Sequence, residues 1–395
     1  MPDNTENCYG CRACEQICPV GCIKMVADDE GFLYPQKDNA LCTECGLCIK
    51  VCPIDNDSVF QEGKQTYYCF VNADAGVVDS SSSGGAFSAL ANEFCKSNKC
   101  KVFGARWGNG FNVRHCSVDN PLNIEIFQKS KYLQSDVLHT YSEVKEGLEQ
   151  GEKVVFSGTP CQIAGLKAFL QKEYDNLLTI DILCHGVPSY KVFKHYIEYL
   201  EDMYNSSVKE FEFRKRSSLF GVKDSCGTEV KFSNGKELSF YSFNDIYMKG
   251  FFSALYYRKS CYRCEFSQEK RVSDVTIGDF WGIEKTDKRL NAHEGVSLII
   301  SNSVKGSAVL KGLHDKHKIY QIDKSFAIPY NKNLISPTPL NKNRDEFFRR
   351  LKVERFDIIV NDYVRNVGKI KFLAAAVTPD KIKNIMRNVR ERIKT

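Results

Sequence analysis

Eight cysteines near the N-terminus fall into two matching runs. Cys8, Cys11, Cys14 and Cys18, followed by Pro19, have the spacing C-x2-C-x2-C-x3-C-P, and Cys42, Cys45, Cys48 and Cys52, followed by Pro53, repeat it thirty-four residues on (42 − 8 = 34). This spacing serves iron–sulfur chemistry. Three thiolates in one tight loop hold three corners of a four-iron cluster, and the fourth, leaving on a proline turn, reaches the other cluster. The expected ligand sets are Cys8, Cys11, Cys14 and Cys52 for one cluster, and Cys42, Cys45, Cys48 and Cys18 for the second. Structural zinc takes four ligands in two pairs, a pattern these runs do not follow. A fifth cysteine, Cys22, stands four residues after Cys18, where the second repeat has Asn56. It reads as a small hydrophobe packed beside a cluster, with a weak S–H contact or a replacement ligand as the alternatives.

A second set of cysteines lies downstream. Cys161 and Cys184 follow the apolar runs "KVVFSGTP" and "LLTIDILC", and Cys261 and Cys264 form a C-x2-C pair in "SCYRCEF". Four thiolates suffice for a third cubane. Rival chemistry fits the same residues. Cys161 opens a helix, whose dipole lowers a thiol pKa, and His185 follows Cys184, so a cysteine nucleophile with a histidine base is one alternative. A buried packing cysteine and a zinc site using the 261–264 pair are the plainer ones.

The elements that must position these residues change character along the chain. "CIKMVADDEGFLYP" alternates as a β-hairpin around Asp28–Gly31, and 55–64 reads as a short polar linker. Beyond it, strand-like "YYCFV" (67–71), "KVFGARW" (101–107), 153–160 and 177–184 alternate with helix-like "GGAFSALANEFC", "CQIAGLKAFLQ" and "SYKVFKHYIEYLEDM". That alternation predicts a parallel, helix-covered sheet with ligands at the carboxyl ends of its strands. From about 208 to 243 the pattern is β-rich, with a hairpin at Asn234–Gly235. The expected fold is therefore a multidomain α+β and α/β chain: a ferredoxin-like module (1–58), an α/β body in two parts (66–150 and 151–325) with a β-rich insertion, and a basic C-terminal stretch (326–395).

Eighteen cysteines in a chain of 395 residues without a recognisable secretory leader argue for metal or redox chemistry rather than disulfides, and for the cytoplasm. No apolar run of eighteen residues occurs, so no membrane span is expected. The formal net charge of +6 is too diffuse to suggest nucleic acid. "DKIKNIMRNVRERIKT" puts Ile382, Ile385, Met386, Val389 and Ile393 on one helical face; docking on the body is the simpler reading, and contact with an anionic membrane surface the alternative.

"SSSGGAFSAL", "KSKYLQS", "FSGTPCQIAGL", "DILCHGVPS", "CYRCEF" and "VTIGDFWGI" occur in this order across residues 80 to 283. Together they resemble the family of coenzyme F420 hydrogenase/dehydrogenase beta subunits, over roughly residues 1 to 310. The resemblance implies an iron–sulfur flavoprotein oxidoreductase, with Cys161, Cys184, Cys261 and Cys264 holding a third 4Fe-4S cluster near FAD. For that FAD the sequence offers contacts at Ser82, Ser83, Gly84 and Gly85, which begin a helix, at Lys129 and Lys131, and at the strand ends Gly158, Thr159, Asp279 and Trp281, although a serine N-cap, a solvated lysine pair and a buried Trp281 are the plainer readings of several. The dinucleotide fingerprint G-x-G-x-x-G is absent. Implied partners are a soluble electron donor or acceptor such as ferredoxin and an organic small molecule, with an oligomer allowed for. The family includes reducers of chlorophyll-type pigments, and bacterial relatives in surface-polysaccharide gene sets suggest a sugar-linked substrate. A non-catalytic electron-transfer subunit is the alternative function.

Overall fold

The computed structural model describes residues 5–54, 56–96, 99–219, 222–242, 244–283 and 295–364. The chain forms two compact units, one of residues 1–194 and 256–341, the other of 195–255 and 342–395.

The first unit opens with the two cysteine loops, each ending in one short helical turn, α1 (Ala13–Gln16) and α2 (Leu47–Lys50). Between them lies a hairpin of β1 (Ile23–Ala27) and β2 (Leu33–Lys37), with Ile23 opposite Lys37 and Ala27 opposite Leu33. Its turn closes on Asp28, whose Oδ1 accepts the backbone N–H groups of Glu30 and Phe32, as Asp does in turns.

The remaining strands, in chain order, are β3 (Thr66–Val71), β4 (Cys100–Trp107), β5 (Val113–Val118), β6 (Lys153–Gly158), β7 (Leu177–Ile182), β8 (Val208–Leu219), β9 (Val222–Phe232), β10 (Glu237–Phe240), β11 (Val275–Asp279), β12 (Ser297–Ser301) and β13 (Lys318–Ile322). Eight of them build one sheet in the order β13-β3-β12-β11-β7-β6-β4-β5. Its centre, β11-β7-β6-β4, is parallel. Its flanks are antiparallel, β5 on one side and β12, β3 and β13 on the other. The all-parallel expectation is corrected here. The buried runs of β3 and β12 look like those of central strands, and apolar content does not encode direction.

Helices α3 (Ala86–Cys95), α4 (Thr140–Glu149), α5 (Pro160–Leu170) and α6 (Tyr190–Tyr204) follow strands or lead into them. Helix α5 starts where its sequence says it should. Thr159 and Gln162 make a reciprocal capping box and Pro160 occupies the first turn, satisfying amides that a helix start leaves open. Ile163, Ala164, Leu166 and Phe169 then enter one core with Tyr141, Phe156 and Phe266.

The 55–64 stretch is packed, not a free linker. Val59 is buried, Phe60 lies against Phe266, and the N–H of Gln61 donates to the carbonyl of Arg271 at 2.7 Å. Cys95 and Cys100 form a disulfide, against the expectation that all thiols stay reduced. The end of α3 and the start of β4 bring their Cα atoms to 5.5 Å, within the range a disulfide needs.

The second unit contains the antiparallel sheet β10-β9-β8, with the expected hairpin at Asn234–Gly235. Tyr196 stacks on Tyr247 at 5.3 Å and lies near Phe211 and Phe356. The basic helix expected at 380–395 lies outside the described residues. Among the described residues no helix is long and apolar enough to cross a membrane.

Candidate metal centres

The eight N-terminal cysteines divide between two cavities as the ligand swap requires. Cys8, Cys11, Cys14 and Cys52 line one, with Tyr9, Pro53 and Ile54. Cys18, Cys42, Cys45 and Cys48 line the other, together with Cys22. The donor sets fit four-iron clusters, which take four thiolates each. Equivalent backbone contacts recur in the two loops: the N–H of Gly10 points at Cys8 Sγ and that of Glu44 at Cys42 Sγ, each at 3.4 Å. The cavities differ in exposure. Burial pushes the Cys14 thiol up to about 12 and raises that of Cys11. Cys45 is exposed, Val20 and Ile49 line the same cavity at 44% and 60% exposure, and Leu41, next to Cys42 in sequence, is 57% exposed. The first cavity is therefore the inner one and the second the outer.

Cys161, Cys184, Cys261 and Cys264 come from three segments, yet each thiolate would feel the others' charge. Cys161 opens α5 at the end of β6, and Cys184 follows the end of β7. The loop after Cys184 is pinned to the segment before Cys261: the N–H of Arg258 donates to the Val187 carbonyl at 3.0 Å, and Pro188 bridges Tyr257. Arg271 anchors the far side, reaching the carbonyl of Phe266 at 2.9 Å and Asp181 in β7 at 3.0 Å. Desolvation and neighbouring thiolates push Cys161 and Cys261 up to about 12 and raise Cys184 as well. The helix start at Cys161 does not win against that burial, which is contrary to the nucleophile reading. Among the described residues no group of three or more His, Cys, Asp or Glu side chains is gathered as around a single metal ion.

The inner cavity and the Cys161 set are neighbours. A methyl group on Gly165, one helical turn beyond Cys161, would lie 2.9 Å from Cys11 Sγ and 2.9 Å from the Tyr141 hydroxyl. Only glycine lets Cys11 rest on α5, and four residues of helix advance about 6 Å. Tyr9, between two inner ligands, takes the N–H of Glu265 on its hydroxyl at 3.2 Å, packs on Phe266, and is raised by burial and by the charges of Cys264 and Cys161. Arg258, 1% exposed, donates to the carbonyls of Cys8 at 2.7 Å and Leu33 at 2.8 Å and to Gln134 at 3.1 Å, and stacks on Tyr34. Its charge favours the thiolates of Cys161 and Cys261.

Of the residues expected around a flavin, the 82–85, 129–131 and 279–281 loops are joined by hydrogen bonds. The N–H of Ser130 donates to Ser82 Oγ at 2.7 Å, which joins the 82–85 loop to the 129–131 loop. The Ser83 hydroxyl and the N–H of Phe280 both donate to the Val296 carbonyl, which brings Asp279 and Trp281 alongside. Gly84 packs so tightly that a methyl group would lie 2.4 Å from the Phe70 carbonyl. Lys131 Nζ donates to the carbonyls of Phe127, Gln128 and Lys129, closing a 3-10 turn rather than forming a solvated pair. Gly85 has left-handed backbone and opens α3, and Lys129 shares that conformation at φ +62°, uncommon for a non-glycine. The Thr159 hydroxyl lies 3.2 Å from Cys161 Sγ. Trp281 is 41% exposed, so the buried-tryptophan reading is corrected.

His115 has no counterpart among the sequence expectations. It is 1% exposed in β5, stacks on Phe156, and its Nε2–H faces the Ser157 carbonyl at 2.9 Å beside Gly158. Nδ1 has no protein partner, an orphan acceptor next to the same loops. Alternation in "NVRHCSV" marks it as inward-facing, but nothing local marks it as special. Burial lowers its pKa to about 4. Because the unfolded chain takes up this proton near 6.5 and the folded one resists it to about 4, stability is lost as pH falls through that window, by up to about 3 kcal/mol. In anaerobic urea unfolding from pH 7 to pH 4, the parent should lose about that much relative to His115→Gln; parallel curves would refute it.

Residues 151–324 match the family model that describes the C-terminal part of the beta subunit of coenzyme F420 hydrogenase/dehydrogenase, and residues 7–56 match the 4Fe-4S dicluster domain. The chain is 22% identical over 188 residues to one of the subunits of F(420)H(2) dehydrogenase from Methanosarcina mazei, covering 45% of this chain and 53% of that protein. Over 46 residues it is 41% identical to one of the subunits of the ion-translocating oxidoreductase complex from Methanosarcina acetivorans, covering 12% of this chain and 16% of that one. Over 52 residues it is 36% identical to a protein named ferredoxin 7Fe from Hydrogenibacillus schlegelii, covering 13% and 60%. The chain thus spans about half of the first relative and less than two thirds of each. A chain of the F420-reducing NiFe hydrogenase complex from Methanosarcina barkeri aligns with TM-score 0.44 and 14% identity over 79% of this chain and 98% of that one.

Proposed function

Starting from the premise that residues 7–56 are a 4Fe-4S dicluster domain and that residues 151–324 belong to the family of coenzyme F420 hydrogenase/dehydrogenase beta subunits, we propose that this chain is an iron–sulfur flavoprotein oxidoreductase. It takes electrons from a ferredoxin-like donor at the outer cavity and delivers them to an organic acceptor. The ligands are Cys8, Cys11, Cys14 and Cys52 for the inner cluster, Cys18, Cys42, Cys45 and Cys48 for the outer, and Cys161, Cys184, Cys261 and Cys264 for a third. Clusters supply single-electron steps, and a bound FAD pairs them into a hydride-equivalent. A redox body over residues 66–325 behind the module of residues 1–58 is the domain arrangement this reading implies.

The observation that carries the proposal is the approach of Cys11 to Gly165, one turn from Cys161. Tyr9, Tyr141 and Phe266 fill the space around it and exclude water. The exposed apolar side chains of Val20, Leu41 and Ile49 suit a donor that docks and leaves. The loops of Ser82, Lys129–Lys131 and Asp279–Trp281, with Gly158 and Thr159, supply the flavin pocket, and the buried Nδ1 of His115 fits a donor group on that ligand. A sugar-linked acceptor is one class the site is proposed to serve.

The test is anaerobic rapid mixing of Gly165→Val with a low-potential donor. Iron content should stay at the parental level while reoxidation by the acceptor slows at least tenfold, because Cys11 is forced off α5. Parental kinetics would contradict the path. Protein released by acid should also yield about one FAD per chain.

A second reading has support in the relatives' names, two of which are subunits of larger assemblies: a non-catalytic component that passes electrons to a partner oxidoreductase. Purified alone, that protein would be reduced by the donor and then show no acceptor-dependent turnover until the partner was added.

A further inference from the structure

The fifth cysteine of the first loop is not a bystander in its cavity. Cys22 Sγ lies 3.4 Å from Cys18 Sγ, the side chain is 4% exposed, and it lines the same cavity as Cys42. Its backbone is fixed: the Cys22 carbonyl accepts the N–H of Asp38 at 2.8 Å, and Ile23 pairs with Lys37 in the hairpin. The sulfur therefore touches one ligand of the first loop and faces the cavity that the ligands of both loops line.

The two halves of the module match in their other contacts to sulfur, since Gly10 and Glu44 repeat the same N–H to Sγ approach. At the place of Cys22 the second half has Asn56. Asn56 Oδ1 accepts the N–H of Ser58 at 3.2 Å and the Ser58 hydroxyl at 2.6 Å, so it caps the turn that follows. Cys22 is thus an asymmetry between the two cysteine loops. A four-iron cluster has four ligand places, and Cys18, Cys42, Cys45 and Cys48 fill them.

We propose that Cys22 tunes the outer cluster by donating its S–H to the ligating sulfur of Cys18, which raises that cluster's reduction potential. Reduction adds one electron, taken from the low-potential one-electron donor, and leaves more negative charge on the cluster sulfurs. A hydrogen bond to such a sulfur stabilises the reduced form more than the oxidised one. No bond to iron breaks and no proton moves. Cys22 acts through its neighbours and is a tuning residue, not a ligand.

The inference rests on the outer ligand set given above, and the experiment separates the two. Full-length Cys22→Ala and Cys22→Ser proteins, and Cys18→Ala with Cys22 also replaced by alanine, are purified anaerobically, counted for iron, and titrated with dithionite under electron paramagnetic resonance. Cys22→Ala should keep the parental iron, shift one midpoint to a more negative potential and leave the others in place; Cys22→Ser, which retains a donor, should shift it back. Unmoved midpoints in Cys22→Ala would overturn the tuning role. Loss of about four irons from Cys22→Ala would also overturn it, by making Cys22 a ligand. Retention of full iron by Cys18→Ala with Cys22 also replaced by alanine would instead overturn the ligand set.

Discussion

Replacing Cys184 with alanine should lower the iron content of anaerobically purified protein from about twelve atoms per chain to about eight. Cys184 is one of four thiols brought into mutual electrostatic contact from three distant segments. Its loop is clamped by the Arg258–Val187 hydrogen bond and the Pro188–Tyr257 bridge, so no other cysteine of the described residues stands ready to replace it. The eight N-terminal cysteines line two separate cavities and should keep their clusters. Acid-labile sulfide should fall in step with iron. A parent with about eight irons, or a variant with the parent's count, would remove the third cluster from the account.

The second large effect is expected at Arg258. Its guanidinium fork joins the first cysteine loop to the hairpin and to Gln134, by way of the carbonyls of Cys8 and Leu33. Arg258→Met keeps most of the side-chain volume but deprives three partly buried acceptors of a donor. Ser260 continues to donate to the Cys8 carbonyl, which softens the loss. At roughly 1–3 kcal/mol for each acceptor stranded without a partner, the net cost should be about 3 kcal/mol. Anaerobic guanidinium unfolding measures it directly. Arg258→Lys keeps the charge near Cys161 and Cys261 but cannot form the fork, so it should recover only part of the stability. A variant within about 0.5 kcal/mol of the parent, the range of an ordinary surface substitution, would contradict the strut role.

What could be read in the sequence is what chemistry writes locally. The two ligand runs, including the exchange of Cys18 and Cys52, follow from spacing over a dozen residues and the prolines behind them. The strands at 67–71, 101–107, 153–160 and 177–184 were legible as apolar runs, and α5 as the helical run that begins at Cys161. Strand direction was not, because β12 and β3 bury both faces whether they run parallel or antiparallel. Nor was the meaning of Gly165, whose missing methyl group matters only because Cys11 lies there. Arg258 looks like any surface arginine until its partners 225 and 250 residues away are known. Ser83 and Lys131 carry the groups expected of a phosphate site, yet their polar atoms are engaged with backbone carbonyls. The resemblance located these loops; which atoms they leave for a ligand depends on contacts that spacing does not specify.

The central claim is a line of three clusters, outer to inner to the Cys161 set, with the last two in close approach. Spin quantitation of the fully reduced, anaerobically purified protein tests it most directly. The account predicts about three unpaired spins per chain, with signals broadened by magnetic interaction between neighbouring clusters. About two spins per chain would contradict it.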